Sequence, residues 1–230
     1  MDLHLFSSPG TDGIEFVVDA CRPYFRGKST PVLAYIPAAA EVVTSYYAYT
    51  LDAFNGLADV VLIDPTTLGL GEFREVLSRA HAVCLPGGNT YLMSQRLHHR
   101  GHCELLRQHA MAGLPIVAFS AGTVFCGLSV LTSNDTNDCG TSQFSGLKLV
   151  PCDFNVHYPT DDSGQAQRDH LLELHCALHD HPILALEDGA YLRATDTRVT
   201  LARGRCWLFR KGQKRGVVRP GIPLDLLAVG

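Results

Sequence analysis

The sequence has few of the features that mark a membrane or secreted protein. Its 230 residues contain no apolar run near the roughly 18 residues that a membrane-spanning helix needs. The N-terminal segment lacks the basic stretch and long apolar stretch of a secretory signal peptide. The eight cysteines are scattered and form no C-x-x-C pair, which indicates free thiols in a reducing compartment. We therefore expect a cytoplasmic protein with no membrane partner.

Positive charge is also scarce. The chain has 19 Lys and Arg against 23 Asp and Glu, for a formal net charge of −4. A nucleic-acid footprint requires clustered excess basic charge, so we expect no nucleic-acid partner. Charged residues are 18% and hydrophobic residues 46% of the chain, which is typical of a globular protein. With no internal repeat or linker, residues 1–230 are predicted to form a single domain.

Short apolar segments alternate with helix-like segments in the first half of the chain. The predicted strands are residues 3–6, 31–36, 60–63, 82–85 and 116–119. The predicted helices start near residue 14 and then cover residues 41–54, 71–77, 91–98 and 103–111. This alternation predicts an α/β fold with a mainly parallel sheet and helices on both faces. Ligands of such sheets bind at the carboxyl ends of the strands.

The pattern changes after residue 127. Strands are predicted at residues 128–131, 147–150 and 183–186, and a helix at residues 165–178. The apolar segments after residue 190 indicate a C-terminal antiparallel extension. Residues 137–146 are polar and include two glycines, so we predict a flexible segment there.

One predicted strand ends in a lone hydroxyl. Residues 116–119 are followed by Ser120 and then by the small residues Ala121 and Gly122. A serine on a sharp turn from strand to helix projects from the sheet beside a helix N-terminus that stabilises developing negative charge. Ala118 and Gly122 provide the small neighbours that such a turn needs. The pattern alone fits a nucleophile and a helix-capping serine about equally.

A serine nucleophile needs a base and a carboxylate that orients the base. Among the eleven histidines, His157 stands out because it ends an apolar, strand-like segment, where a histidine belongs either to the core or to a site. His175, His179 and His181 include an i,i+4 pair that suits a metal. No H-E-x-x-H motif or matching carboxylate accompanies them, so we expect a solvated surface there and no metal site.

Four short motifs together resemble a known family. They are Pro-Gly-Gly-Asn-Thr at residues 86–90, Phe-Ser-Ala-Gly at 119–122, Thr-Ser-Asn-Asp at 132–135 and Asn-Val-His at 155–157. In order and spacing they resemble the peptidase E (aspartyl dipeptidase) family of serine peptidases, to which cyanophycinase is related. The resemblance implies a flavodoxin-like sheet similar to that of class I glutamine amidotransferases, with serine in place of their cysteine.

The resemblance also implies a catalytic triad. Ser120 would be the nucleophile, His157 the general base and Asp135 the third member. Cyanophycinase-like relatives instead use a glutamate at a later strand end. Asp188, or Glu187 one place earlier, occupies that position in this chain and is the alternative.

The remaining site residues are likewise implied by the resemblance. The backbone N–H groups of Gly88 and Ala121 would form the oxyanion hole, and glycine leaves room for the oxyanion to approach the backbone. Asn89 and Thr90 would line the substrate site, unless they only cap the next helix. Arg168 would pair with a substrate carboxylate, although the family's arginine-rich stretch is reduced here to this one arginine.

The implied activity is that of a serine exopeptidase that hydrolyses short peptides, above all dipeptides with an N-terminal aspartate, through an acyl-enzyme and without a metal or organic cofactor. One alternative is a cyanophycinase-like hydrolase of β-aspartyl peptides. Another is a non-catalytic binding module on the same fold. An α/β-hydrolase is disfavoured because its histidine should come late, and no histidine follows His181. A monomer and a homodimer both fit the sequence.

Overall fold

The structure is a computed structural model that describes residues 1–10, 13–196 and 198–226. Strands and helices alternate through its first half, as the sequence pattern predicts. In chain order the elements are β1 (Asp2–Phe6), α1 (Glu15–Phe25), β2 (Val32–Tyr35), α2 (Tyr47–Ala53), β3 (Asp59–Leu62), α3 (Leu70–Arg79), β4 (Ala82–Leu85), α4 (Thr90–His99), α5 (His102–Met111), β5 (Ile116–Phe119), α6 (Ala121–Phe125), β6 (Asp153–Asn155), α7 (Asp162–Leu178), β7 (Ile183–Leu186), β8 (Tyr191–Thr195), β9 (Arg198–Arg203), β10 (Cys206–Phe209), β11 (Gly216–Val217) and β12 (Pro223–Leu224).

The larger of two sheets has eight strands in the order β12-β9-β8-β1-β5-β4-β2-β3. The strands from β3 to β1 in this order pair in parallel, and β8, β9 and β12 extend the sheet in the antiparallel sense. The smaller sheet has the order β11-β10-β7-β6, in which β6 and β7 are parallel neighbours. The prediction of a mainly parallel α/β sheet with an antiparallel C-terminal extension is confirmed.

Both faces of the inner parallel strands β1, β5, β4 and β2 are buried, which explains their apolar sequences. On β2, Leu33 and Tyr35 belong to the cluster that packs against α1, whereas Ala34 belongs to the cluster on the opposite face. Side chains alternate between the two faces of a strand, so one short segment contributes to two layers of the core. The carboxyl ends of the strands remain at one edge of the sheet, where the loops meet.

Two predicted strands are absent from the described structure. Residues 128–131 and 147–150 form no ladder, and only an isolated bridge joins Ser129 to Ser145. The N–H groups of Leu147 and Leu149 donate instead to the carbonyls of Phe125 and Cys126, just after α6. Their apolar side chains therefore fill the core as an irregular loop.

Two further expectations on local structure need correction. The helix predicted at residues 41–54 starts only at Tyr47, because the preceding β-branched residues form turns. The segment predicted to be flexible, residues 137–146, is fastened to α4: the Ser94 hydroxyl donates to the Gln143 carbonyl at 2.7 Å and the Gln95 amide to that of Cys139 at 3.2 Å.

The cysteines match the expectation of free thiols, since none is paired and all but Cys139 are buried. In the described ranges, the helices are too short or too polar for any of them to traverse a lipid bilayer.

Candidate active site

The turn between β5 and α6 holds Ser120 in a strained conformation, with φ 48° and ψ −112°. A non-glycine residue reaches positive φ only when its surroundings enforce it, and such residues concentrate at functional sites. Gly122 is part of this enforcement, because a Cβ there would lie 2.3 Å from the Leu85 carbonyl oxygen. The small residue that the sequence pattern requires is therefore needed for close packing of α6 on β4.

A chain of three side chains starts at this serine. The Ser120 Oγ lies 2.8 Å from the Nε2 of His157, and the Nδ1 of His157 lies 2.6 Å from the Oδ1 of Asp188. His157 follows β6 and Asp188 follows β7, and these strands are parallel neighbours, so their carboxyl ends meet. The side chains of His157 and Asp188 are 43% and 60% exposed, which leaves them open to a ligand from solvent.

Ser7, directly after β1, contacts both His157 and Asp188 and was not singled out from the sequence. Its hydroxyl oxygen accepts a hydrogen bond from the backbone N–H of His157 at 2.8 Å and lies 3.3 Å from the Oδ1 of Asp188. Burial raises the pKa of Asp188, but hydrogen bonds from His157 and Ser8 and the charge of His157 together hold that pKa below its ordinary value. Asp188 is therefore ionised at neutral pH, as an orienting carboxylate must be.

Asp135, the first choice for the third triad member, lies elsewhere. Its Oδ2 accepts hydrogen bonds from the Thr90 N–H at 2.8 Å, the Thr90 hydroxyl at 2.6 Å and the Ser133 hydroxyl at 2.9 Å. These contacts place the carboxylate at the positive N-terminal end of α4, a favourable position for an anion. The expectation for Asp135 is corrected: Asp188, the alternative, contacts the histidine.

Glu187, the other alternative, points away from the site. Its side chain is buried, accepts a hydrogen bond from the Trp207 indole N–H at 3.1 Å and lies 3.6 Å from the Arg205 guanidinium. Adjacent residues after a strand project to opposite sides, so only one of the two carboxylates can face His157.

The two backbone groups expected to form an oxyanion hole lie beside the serine. Gly88 has φ 136°, and a Cβ there would lie 2.3 Å from the Ala39 carbonyl oxygen. No other residue fits at this position, which borders the same cavity as Ser120. Ala121 is the first residue of α6, so its N–H belongs to the unpaired donors of a helix N-terminus.

A cavity of about 280 Å³ opens in front of Ser120. Gly87, Gly88 and His157 form one side, and Ile14, Tyr46, Tyr49 and Phe119 give it an apolar lining. Among the described residues that line it, none is Lys, Arg, Asp or Glu. The two tyrosines are about half exposed and come from the turn and helix after β2, where no sequence motif indicated a ligand contact.

Asn89, Thr90 and Arg168, expected to bind substrate, are engaged in structural contacts and do not line this cavity. Asn89 caps α4 by accepting from the Leu92 N–H at 3.0 Å, and the buried side chain of Thr90 contacts Asp135, as described above. The Arg168 guanidinium donates to the side-chain oxygens of Asn134 and, at 2.9 Å, Asn155. This arginine thereby ties α7 to the loop before β6.

Comparisons with known proteins show the family of this chain. A model of peptidase family S51 matches residues 5–202. Peptidase E of Streptomyces coelicolor is 31% identical over 205 residues, which cover 83% of each chain. Peptidase E of Shewanella denitrificans is 27% identical over 220 residues, which cover 94% of this chain and 92% of the relative.

Solved structures show the same fold. A Listeria monocytogenes EGD-e protein described as a candidate peptidase E superposes with a TM-score of 0.67 at 22% identity, covering 88% of this chain and 98% of its own. A peptidase from an acI-B1 Actinobacterium superposes with a TM-score of 0.71 at 14% identity, covering 97% and 96%. Fold and family match together define a peptidase, a hydrolase of peptide bonds, whose family uses serine chemistry. The chain belongs to peptidase family S51.

Proposed function

We propose that this protein is a serine exopeptidase that cleaves short peptides with Ser120 as nucleophile, His157 as general base and Asp188 as the residue that orients the base. The observation that carries the proposal is the continuous contact from Ser120 Oγ through the imidazole to the Asp188 carboxylate, at 2.8 and 2.6 Å. Both distances are those of hydrogen bonds, and a hydroxyl, an imidazole and a carboxylate in this order support acyl transfer by a serine.

The proposed reaction proceeds through an acyl-enzyme. As Ser120 Oγ attacks the scissile carbonyl carbon, its proton passes to His157 Nε2, and the Asp188 carboxylate stabilises the imidazolium through Nδ1. The N–H groups of Gly88 and Ala121 receive the negative charge that develops on the carbonyl oxygen. His157 then protonates the leaving amine, and a water activated by the same imidazole hydrolyses the ester.

The size of the cavity favours a short substrate. Small-molecule sites have volumes of about 300–1,000 Å³, and the cavity beside Ser120, at about 280 Å³, is at the lower end. The resemblance to aspartyl dipeptidases favours N-terminal aspartate as the residue bound there. A buried carboxylate, however, is stabilised best by a cation. The described lining of the cavity contains hydroxyl groups but no Lys or Arg, and the Arg168 guanidinium contacts Asn134 and Asn155 instead.

We therefore propose that an uncharged side chain occupies this cavity. The decisive pair is Asn-Leu against Asp-Leu, because asparagine and aspartate differ in charge and hardly in shape. We expect kcat/KM for Asn-Leu to equal or exceed that for Asp-Leu, and Leu-Leu to be cleaved as well. A preference of tenfold or more for Asp-Leu would restore the aspartyl dipeptidase specificity and require a carboxylate-binding group in the occupied site.

The same panel separates the alternatives. Cleavage of β-Asp-Arg without cleavage of any α-linked dipeptide would identify a cyanophycinase-like hydrolase. A binding module would cleave nothing, resist a serine-directed probe and still show a ligand-induced rise in melting temperature. For the proposed peptidase, Ser120→Ala lowers kcat on the best dipeptide by about 10³-fold or more. Undiminished turnover in this variant would exclude the mechanism.

A further inference from the structure

A second group of functional side chains lies at the other end of β6 and β7. Asp153, the first residue of β6, is completely buried, and its Oδ2 lies 2.9 Å from the Nε2 of His175 and 2.7 Å from the Nε2 of His181. His175 is in the last turn of α7, and His181 lies two residues before β7. From sequence this histidine cluster lacked a carboxylate; the fold supplies one from more than twenty residues earlier.

We propose that Asp153, His175 and His181 bind a divalent transition-metal ion, with Zn²⁺ as the best fit. One potential ligand atom from each residue lies within 4.8 Å of the other two. Two imidazole nitrogens and a carboxylate oxygen are a donor set that Zn²⁺ uses, with a fourth position left for water or another side chain. The ring centroid of His179 lies 4.4 Å from that of His175, but His179 does not belong to the group whose ligand atoms lie within 4.8 Å of one another.

The two distances from the Asp153 carboxylate to the imidazoles, 2.9 and 2.7 Å, are close to those between ligands of a bound ion. Ligand atoms around a tetrahedral Zn²⁺ lie about 3.4 Å apart, so both imidazoles need to withdraw from Asp153 by only about half an ångström. In the metal-free protein each Nε2–H donates to the carboxylate. On binding, each Nε2 gives its lone pair to the ion and the single proton of each neutral imidazole resides on Nδ1.

Hydrogen bonds from a neighbouring residue hold the Asp153 carboxylate in a fixed orientation. The N–H of Ser129 donates to Asp153 Oδ1 at 2.7 Å and its hydroxyl donates to Oδ2 at 2.9 Å. Such outer contacts fix the orientation of metal-binding carboxylates in proteins. His175 is also close to the C-terminus of α7, whose partial negative charge favours a cation. The two imidazoles are 11% and 23% exposed, so an ion can enter from solvent.

The bound ion would act at a distance from the peptide-bond chemistry. From residue 153 to residue 157 the chain extends about 13 Å at 3.3 Å per residue, so the ion lies well away from Ser120. It would connect the end of α7 with the starts of the two strands that carry His157 and Asp188 at their other ends. Its effect is therefore expected on stability rather than on turnover.

The test uses the full chain without a histidine tag, stripped with a chelator and then titrated with Zn²⁺ near pH 7.5. We expect one equivalent bound by calorimetry and by elemental analysis after dialysis, and a higher melting temperature. His175→Ala and His181→Ala should each weaken binding by at least about a hundredfold, and Ser129→Ala by about tenfold to a hundredfold. His170→Ala, an exposed histidine on the same helix, is the matched control and should bind as the unaltered protein does.

Cobalt provides a second measurement that holds even if a variant folds poorly. Added to the unaltered protein, Co²⁺ in the proposed site gives the intense visible bands of a four-coordinate ion with nitrogen and oxygen ligands, without the charge-transfer band of a cysteine thiolate. Binding of less than a tenth of an equivalent, a thiolate band, or equal affinity in the His170, His175 and His181 variants would overturn the proposal.

Discussion

Strands β6 and β7 carry an aspartate–histidine pair at each end, and the two pairs differ in burial. At the carboxyl ends, Asp188 and His157 are 60% and 43% exposed, and the imidazole has a serine in front of it. At the amino ends, Asp153 is fully buried, and two imidazoles share one of its oxygens. We therefore propose that the same chemical pair serves a reaction at one end and cohesion or metal binding at the other.

The largest expected effect is on kcat, and it tests whether Asp188 or Asp135, the residue that the sequence motifs favoured, orients His157. Asp188→Asn should lower kcat on the best dipeptide by about 10²–10⁴-fold, because the amide disfavours the required tautomer of His157. Asp135→Asn, the matched control, should leave kcat within about threefold. Steady-state kinetics on both variants decides between them, and the reverse ranking would return Asp135 to the triad.

The buried pair should instead control stability. In metal-free protein, Asp153→Asn replaces an acceptor of four hydrogen bonds with a group that also donates, so we expect a loss of about 2–4 kcal/mol in the free energy of unfolding. Asp188→Asn should cost less than about 1 kcal/mol, since that carboxylate is mostly exposed. Urea denaturation at pH 7.5 measures both. Equal losses of unfolding free energy in the two variants would contradict the proposed difference between the two ends of β6 and β7.

His4 can be compared with these aspartate–histidine pairs, because it is buried and its hydrogen bonds go to tyrosine hydroxyls rather than to a carboxylate. His4 contacts the hydroxyls of Tyr24 and Tyr191 at 2.6 and 2.7 Å, and burial lowers its pKa to about 4 from an ordinary value of 6.5. Between these values the unfolded chain binds the extra proton and the folded chain does not, so stability falls as the pH drops. From pH 7 to pH 5 this histidine alone should cost about 2 kcal/mol.

The control for the pH effect is His4→Gln, which keeps polar contacts for the two tyrosines but does not titrate. Unfolding free energies at pH 7 and pH 5 should differ by about 2 kcal/mol less in this variant than in the unaltered protein. Asp188 and Asp153, whose pKa values are lowered, act only below about pH 4 and do not disturb the comparison. An unchanged pH dependence would show that folding does not lower the pKa of His4.

Much of the fold was predictable because both faces of the inner parallel strands β1, β5, β4 and β2 are buried and their sequences are apolar. The sharp turn at Ser120 was indicated by the small residues around it, and Gly88 was indicated by the family resemblance; their catalytic roles stay predictions. The partner of His157 was not, because it depends on which loop lies beside β6, and Asp135 and Asp188 both follow plausible motifs. The register of β6 against β7 decides the matter.

Sequence analysis missed the tyrosines that line the cavity and the contact between Asp153 and His181 for the same reason. Tyr46 and Tyr49 lie on a segment whose sequence resembles an ordinary helix, and only its position after β2 brings them to the serine. Asp153 and His181 are separated by an entire helix in the chain, so no spacing rule connects them. Contacts between distant segments determine these features, and a single sequence does not record such contacts.

The most direct measurement of the central claim requires no knowledge of the substrate. A fluorophosphonate probe reacts preferentially with an activated serine nucleophile, and mass spectrometry of the digested protein identifies the labelled residue. We predict labelling at Ser120, at least tenfold slower labelling in Asp188→Asn, and an unchanged rate in Asp135→Asn. Failure to label Ser120 in the unaltered protein, or slower labelling in Asp135→Asn alone, would contradict the proposed triad.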